Sequence, residues 1–327
     1  MVYDVIVVGA GPTGLACGIE ARRAGLQELV IDKGCLANSL FHYPTNMVFF
    51  TTPELMEIGD LPLVCAGEKA TRTEALKYYR LAAERYKLNL RLYERVREIV
   101  RRDAEFLVKT SPQHGPAQEY RGRNVVIASG YYNLPNRMGI PGEDLPKVSH
   151  YYTEAHPYFD RDVAVIGGGN SAVEAALDLF RHGAHTSLIY RGASLPRTIK
   201  YWIRPDIENR IKNGEIQAYF ETNVLEIGED FVLLEGPAGK RKLKNDFVFA
   251  LTGYHPDFDF LRGAGVELDE QTQRPSCHPE TLESNVAGLY LAGVIIGGLE
   301  TSEIFIENGR HHGKQILRAV LARSGRG

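Results

Sequence analysis

The sequence predicts an α/β protein with two dinucleotide-binding domains, and three observations carry that prediction. A glycine-rich turn, Gly9-Ala10-Gly11-Pro12-Thr13-Gly14, follows an apolar run near the start of the chain. The same order of apolar run, glycine-rich turn and helix-like segment returns at Gly167-Gly168-Gly169-Asn170-Ser171-Ala172. The chain has 327 residues, enough for two domains of about 150 residues each.

Composition and charge exclude several classes of protein. The 38 Lys and Arg residues nearly balance the 41 Asp and Glu residues, and the net charge of −3 predicts no nucleic-acid partner. The longest apolar stretch, at 288–299, is too short and too rich in glycine to span a membrane, and the first residues show no signal-peptide pattern. The four cysteines do not form a disulfide framework, and the histidines show no metal-ligand spacing. We therefore expect a soluble, cytoplasmic protein without a metal site.

The first repeat unit has the order strand, turn, helix and strand. Residues 3–8 predict a buried parallel strand, residues 15–24 a helix, and residues 29–31 a second strand that ends at Asp32. The glycines permit a tight turn and let the backbone approach a diphosphate, which the N–H groups at the start of the helix attract. We expect FAD here, with its adenosine ribose on Asp32 and with contacts from Gly9, Gly11, Pro12, Thr13, Gly14 and Lys33.

The second repeat unit differs from the first at the end of its second strand. A strand at 162–166, a helix at 173–183 and a strand at 186–190 repeat the pattern, but Arg191 follows where the first unit has an acid. A carboxylate repels the 2′-phosphate of NADPH, whereas a guanidinium binds it through two hydrogen bonds. This predicts an NADPH site, with a solvated position without a ligand as the alternative for Arg191 and for Arg197. The predicted contacts are Gly167, Gly169, Asn170, Ser171, Ala172, Arg191 and Arg197.

The remaining segments predict further α/β elements. Thr71 and Glu74 have the spacing of a capping box and predict the start of a helix, and alternating leucines at 88, 90 and 92 predict a strand. Apolar runs predict strands at 106–108, 125–130, 246–253 and 288–293. After the last strand we expect one helix from about Thr301 to Leu321, with Thr301 or Ser302 as N-cap and its positive N-terminus facing the flavin.

The second unit interrupts the first. His255-Pro256 is typical of a linker, and here it returns the chain to the first domain. We therefore predict a discontinuous FAD domain over 1–155 and 257–327, with an NADPH domain over 156–256 inserted in it. Both domains are expected to be Rossmann-like and of the three-layer ββα type.

The order of these elements resembles the thioredoxin-reductase-like pyridine nucleotide flavoproteins over the whole chain. Several segments are more specifically similar to the bacillithiol-disulfide reductase family, among them YPTNMVFFTT from Tyr43, GGGNSA from Gly167, IKYWI from Ile199 and IFIENGR from Ile304. The resemblance implies FAD, NADPH, a homodimer and a low-molecular-weight disulfide as substrate. It also implies backbone contacts to FAD at Gly293-Val294, where related enzymes have Gly-Asp, and at Gly130 in the similar segment SGYY.

Two departures from the resembled families concern their thiols. Thioredoxin reductases place a CxxC pair before the second glycine turn, and this chain has no CxxC anywhere. The bacillithiol-linked family places a cysteine inside the first turn, where this chain has Thr13, and a hydroxyl cannot form a mixed disulfide. Cys17 is expected to be a core residue, Cys35 to lie near the adenosine, and Cys65 and Cys277 to lie in loops. No catalytic residue is assigned.

The electron acceptor therefore stays open among three interpretations. The first is that NADPH reduces the flavin, which then reduces a bacillithiol-type disulfide. The second is a thiol-independent reductase of ferredoxin or flavodoxin, although those enzymes stack a C-terminal aromatic on the flavin and this chain has none after Phe305. The third is an NADPH-binding redox sensor with little turnover.

Overall fold

The computed structural model describes residues 1–323 and 325. Within it the chain divides into unit 1, formed by Met1–His42, Asn46–Leu134 and His255–Gly327, and unit 2, formed by Tyr43–Thr45 and Pro135–Tyr254. Unit 2 therefore begins its main segment at residue 135 and not at the predicted 156, because the short strand at 148–149 pairs within its sheet. The predicted end of the first domain at 327 includes residues 324, 326 and 327, which lie outside the described residues.

The helices and strands are numbered in chain order. The first part of the chain forms β1 (Val2–Val8), α1 (Pro12–Arg23), β2 (Glu28–Ile31), α2 (Asn38–Phe41), α3 (Arg72–Tyr86), β3 (Leu90–Arg91), β4 (Glu94–Arg102), β5 (Glu105–Pro112) and β6 (Gln118–Ile127). The middle part forms β7 (Val148–Ser149), β8 (Asp162–Ile166), α4 (Asn170–Arg181), β9 (His185–Ile189), α5 (Arg204–Lys212), β10 (Gln217–Tyr219), β11 (Asn223–Ile227), β12 (Phe231–Gly236), β13 (Gly239–Lys244) and β14 (Phe247–Ala250). The last part forms α6 (Phe258–Gly263), β15 (Leu289–Leu291), α7 (Ile306–Gly309) and α8 (His312–Arg323).

A seven-stranded sheet forms the centre of unit 1, in the order β3-β2-β1-β6-β5-β4 with β15 paired to β6. β1 runs parallel to β2 and β6, whereas β4, β5 and β6 form an antiparallel meander. Ile6 on one face packs with Phe106 and Val108 of the meander, and Val30 on the other face lies against Gly18 of α1. The parallel strands are therefore covered on both faces, which is why they are continuously apolar.

Unit 2 repeats this layered arrangement around a five-stranded parallel sheet in the order β10-β9-β8-β14-β7. On one face Val163 and Val165 pack with Ala172 and the other apolar residues of α4. On the other face Ile166 packs with Val232 from the antiparallel sheet β11-β12-β13. The predicted α/β fold with two three-layer Rossmann-like units is confirmed.

The prediction of one helix over 301–321 is wrong for the first part of that range. Residues 301–302 form a turn, residue 303 a bend and residues 304–305 no regular structure. α7 spans only Ile306–Gly309 and α8 begins at His312, so neither Thr301 nor Ser302 is an N-cap. Asn308 explains part of this difference, because its Oδ1 accepts from the N–H of Phe305 at 2.8 Å and its Nδ2 donates to the carbonyl of Glu303. Such side-chain bonds to the preceding backbone compete with helix formation. The capping box at Thr71 and Glu74 is present as predicted.

Candidate functional site

Close backbone contacts hold the first glycine-rich turn, which joins β1 to α1. Gly9 has a φ of +112°, and a Cβ there would lie 2.3 Å from the carbonyl oxygen of Ala128, just after β6. A Cβ on Gly14 would lie 1.9 Å from the carbonyl oxygen of Gly9. The fold itself therefore requires both glycines, independently of any ligand.

Gly11 differs from these two glycines because the space beside it is open. It is the N-cap of α1 with an ordinary φ of −74°, and a Cβ there would meet no described atom within 4 Å. Pro12 is the first helical residue, and the N–H groups of Thr13 and Gly14 have no acceptor within the helix. Free donors beside an open cradle at a helix N-terminus fit the diphosphate of FAD.

Asp32, directly after β2, is bound to the first turn through its carboxylate. Its Oδ2 accepts from the N–H of Ala10 at 2.7 Å and its Oδ1 accepts from the N–H of Gly34 at 2.8 Å. Burial raises the pKa of the Asp32 carboxyl above its ordinary value. Both oxygens keep a second lone pair, which fits a ribose hydroxyl. Neighbouring Lys33 has a lowered pKa, because it is partly buried and faces Arg95.

Thr13 lies where three segments of unit 1 meet. A Cβ on Gly293, which follows β15, would lie 3.2 Å from Oγ1 of Thr13. A Cβ on Gly309, the last residue of α7, would lie 2.8 Å from the same oxygen. The threonine side chain therefore occupies a space that exists because both neighbours lack a Cβ.

His312 contacts the predicted FAD site, and sequence analysis did not include it. The adjacent histidines 311 and 312 lack the spacing that would indicate a shared site. Its Nδ1 accepts a hydrogen bond from the N–H of Gly293 at 3.0 Å. Burial, with a smaller contribution from His311, lowers the pKa of His312 to about 4, so the ring is neutral at pH 7. The N–H of Gly293 is thus used within the protein and is not open to FAD. Half-buried Val294 and Gly130, after β6, remain candidates for backbone contacts.

Burial disfavours the thiolate at three of the four cysteines. Cys17 is fully buried on the α1 surface that Gly313 of α8 approaches, and burial raises the pKa of Cys17 to about 12. Burial also raises the pKa of Cys277 to about 11 and raises that of Cys35 above its ordinary value. Cys65 donates to the carbonyl of Gly67 at 3.2 Å. The expectation of Cys17 as a core residue is confirmed.

The second glycine-rich turn joins β8 to α4 in unit 2 and repeats the geometry of the first. A Cβ on Gly167 would lie 2.4 Å from the carbonyl oxygen of Leu251, just after β14. Gly169 is the N-cap of α4, and a Cβ there would meet no described atom within 4 Å. Ala172 is buried beneath the turn, whereas Ser171 is exposed. This second cradle fits the diphosphate of NADPH.

The middle glycine of the second turn makes room for an aromatic ring. A Cβ on Gly168 would lie 2.5 Å from the ring of Tyr190, and so would a Cβ on Gly192. The ring of Tyr190 therefore lies between the phosphate turn and the segment that carries Arg191. This packing was not predicted, although both glycines and the tyrosine are visible in the sequence.

The side chains predicted to recognise NADPH fall into two groups. Arg191 and Arg197 are exposed and make no side-chain hydrogen bond or ion pair with any residue that the structure describes, so both can bind an anion. Asn170 is different, because its Oδ1 accepts from the N–H of Lys200 at 2.9 Å and its Nδ2 donates to the carbonyl of Thr198 at 3.2 Å. The side-chain amide of Asn170 therefore binds the loop.

Two other kinds of feature are absent from the described part of the chain. Over 1–323 and 325, no helix is long and apolar enough to cross a membrane. In the same part of the chain, no three His, Cys, Asp or Glu side chains are grouped so that they could hold a metal ion.

Two open cradles, each at the carboxyl ends of the parallel strands of its own sheet, are typical of an oxidoreductase that uses two dinucleotides. Comparison with known proteins is more specific. The chain belongs to the pyridine nucleotide-disulphide oxidoreductase family, whose model matches residues 6–293. Its cofactors are FAD and NADPH.

Individual relatives match nearly the whole chain. It is 45% identical over 322 residues to the bacilliredoxin reductase Bdr of Bacillus subtilis, covering 97% of both proteins. The solved bacillithiol disulfide reductase Bdr of Bacillus cereus is 43% identical, with a TM-score of 0.97 over 99% of this chain and 100% of that chain. The Staphylococcus aureus structure of the same name is 39% identical, with a TM-score of 0.93 over 99% of each chain. The predicted family is confirmed.

Proposed function

We propose that this protein is an FAD-containing, NADPH-dependent reductase of a bacillithiol-type disulfide. The observation that carries the proposal is the match to the Bacillus cereus reductase, at 43% identity and a TM-score of 0.97. Unit 1 holds FAD and unit 2 holds NADPH in this proposal. The chain acts as a homodimer in the bacterial cytoplasm.

The residues of this chain supply binding and orientation. The open cradle at Gly11 and the first N–H groups of α1 hold the diphosphate of FAD, while Asp32 holds the adenosine ribose. The cradle at Gly169 holds the diphosphate of NADPH, and the guanidiniums of Arg191 and Arg197, which have no partner among the described residues, hold its 2′-phosphate. FAD held in this way would supply the redox chemistry, with a hydride from NADPH providing the two electrons that, together with two protons, convert the disulfide to two thiols.

The proposed reduction uses no thiol of this chain. Thr13 stands at the position where the resembled family has a cysteine, and its hydroxyl cannot form a mixed disulfide. Cys17 lies on the same helix, but it is fully buried and burial raises its pKa to about 12. The proposal therefore assigns no covalent intermediate to Thr13 or Cys17.

The purified holoenzyme, assayed for NADPH oxidation with separate acceptors, tests this proposal. We expect turnover with bacillithiol disulfide. Bacilliredoxin is the second candidate acceptor, because the Bacillus subtilis relative is named for it. Turnover with ferredoxin or flavodoxin alone would identify the reductase of a small redox protein. No oxidation of NADPH, even with an artificial acceptor, would identify a sensor.

A further inference from the structure

The loop between β9 and α5, residues 190–203, is anchored in unit 2 at several points. Leu195 and Ile199 are buried in its core, with 6% and 3% of their surfaces exposed. The carbonyl of Pro196 accepts a hydrogen bond from the guanidinium of Arg204. The loop is therefore part of the folded structure, although Arg191 and Arg197 extend from it into solvent.

Asn170 adds an anchor that reaches the loop from the first turn of α4. Its side chain accepts from the N–H of Lys200 and donates to the carbonyl of Thr198, at 2.9 and 3.2 Å. These two backbone groups directly follow Arg197 in the chain. A single amide side chain, beside the phosphate cradle, therefore sets where the backbone after Arg197 runs.

Lys200, the third cation of this loop, is paired within unit 2. Its Nζ lies 2.5 Å from Oε1 of Glu174, one turn further along α4. Its charge is therefore matched within the protein, whereas the charges of Arg191 and Arg197 have no partner among the described residues. The loop is built to hold its backbone to α4 while leaving two guanidiniums for a ligand.

We infer that Asn170 is a positioning residue for the choice between NADPH and NADH. The inference rests on the proposed function, because it takes unit 2 to be the NADPH site. Binding a 2′-phosphate orders the arginine that contacts it, and a loop that is already held loses less freedom in doing so. NADH has no 2′-phosphate and gains nothing from this preorganisation. The two hydrogen bonds from Asn170 to the loop therefore favour NADPH over NADH.

Titration of the oxidised holoenzyme with NADP⁺ and with NAD⁺, followed by calorimetry, tests this without turnover. Ordering one long side chain corresponds to about three- to tenfold in affinity, so Asn170→Ala should raise the Kd for NADP⁺ by about that factor and leave the Kd for NAD⁺ within about twofold. Ser171→Ala is the matched control, because Ser171 is exposed on the same turn with no bond to the loop. It should change both Kd values by the same factor.

A double-mutant cycle separates positioning from a merely structural role. If Asn170 acts through Arg197, Asn170→Ala should leave the ratio of the two Kd values unchanged in an Arg197→Ala background. Additive effects, or equal weakening of NADP⁺ and NAD⁺, would overturn the inference. Wild-type enzyme that binds neither nucleotide would instead overturn the proposed function. If Asn170→Ala does not fold, Asn170→Ser replaces it, because the shorter side chain cannot bridge both loop groups.

Discussion

The backbone N–H of Gly293 donates a hydrogen bond to Nδ1 of His312, 3.0 Å away. Because Nδ1 is the acceptor, the neutral ring carries its proton on Nε2. The bond connects the turn after β15 to the start of α8, beside the side chain of Thr13. His312, which was not predicted to belong to the site, thus holds the backbone of Gly293, which was predicted to contact FAD.

The first prediction concerns pH and stability. His312 has a pKa of about 4 in the folded protein and 6.5 in the unfolded chain, so the unfolded chain binds more protons between those values. The contribution of neutral His312 to the free energy of unfolding is complete above pH 6.5 and is lost as the pH falls toward 4. The free energy of unfolding, measured in urea, should fall between pH 7.5 and pH 4.5 in both proteins. The fall should be about 2 kcal/mol smaller in His312→Gln than in wild type. Identical losses would show that His312 does not titrate in this way.

The second prediction concerns FAD. Gly11 has an ordinary φ and open space at its Cβ position, so Gly11→Val should fold but fill the cradle. We expect a colourless protein whose Tm stays close to that of apoprotein prepared from wild type, whereas wild type is yellow with one FAD per chain. Visible absorbance and thermal unfolding measure the two effects. Gly14→Ala is the contrast, because its Cβ would meet the carbonyl of Gly9 at 1.9 Å and should prevent folding. A yellow Gly11→Val protein would place the diphosphate elsewhere.

The third prediction concerns Arg191 and the preference for NADPH. Hydrogen bonds to charged groups contribute about 1.5–3 kcal/mol, so Arg191→Ala should raise the KM for NADPH by about ten- to a hundredfold. The KM for NADH should stay nearly constant, because NADH has a hydroxyl where NADPH has the phosphate. Arg161→Ala is the matched control. Arg161 is also exposed, but it lies before β8, at the amino ends of the parallel strands and away from Arg191. Equal loss for both cofactors would make Arg191 structural.

The fourth prediction is that electron transfer through the flavin needs no cysteine of this chain. A variant with Cys17→Ala, Cys35→Ser, Cys65→Ser and Cys277→Ser should stay yellow and reduce an artificial acceptor at nearly the wild-type rate. Its reduction of bacillithiol disulfide should also persist. Loss of disulfide reduction alone would identify one of the four as the working thiol. The four single variants would then show which cysteine it is.

Thr13→Cys extends the fourth prediction. The space around Thr13 is bounded by Gly293 and Gly309, and a cysteine side chain is no larger than threonine. The variant should therefore fold and bind FAD. If wild type does not reduce the disulfide and Thr13→Cys does, the threonine marks a change of acceptor on a retained fold.

The two repeat units were predictable because each glycine turn is a local pattern with a local cause. Gly9 and Gly167 need a positive φ and close contact with a neighbouring strand, and no other residue meets both needs. β4 was not predicted, since its exposed positions are charged and a bulge between Val96 and Glu98 breaks its alternation. Periodicity in the sequence cannot show such a bulge.

The candidate site was less predictable, because its details depend on contacts between distant residues. The bond between Gly293 and His312, and the packing of Thr13 on Gly309, exist only after α7 and α8 are in place. Asn170 was predicted by its position in the turn, but its partner Lys200 could not be read from spacing. The predicted contact of Asn170 with NADPH stays a prediction, whereas the contact of its side chain with the loop is visible only in the tertiary structure.

The position of β15 has a consequence for the folding of this protein during its synthesis. β15 pairs with β6, and Gly313 of α8 lies against α1, so the sheet and helix layer of unit 1 stay incomplete until the last part of the chain has emerged. Unit 2 lies almost wholly within 135–254 and is synthesised before that point. We therefore expect residues 125–127 of β6 to lack their β15 partner in nascent unit 1 while unit 2 folds, and to lack it permanently in a chain truncated before Leu289.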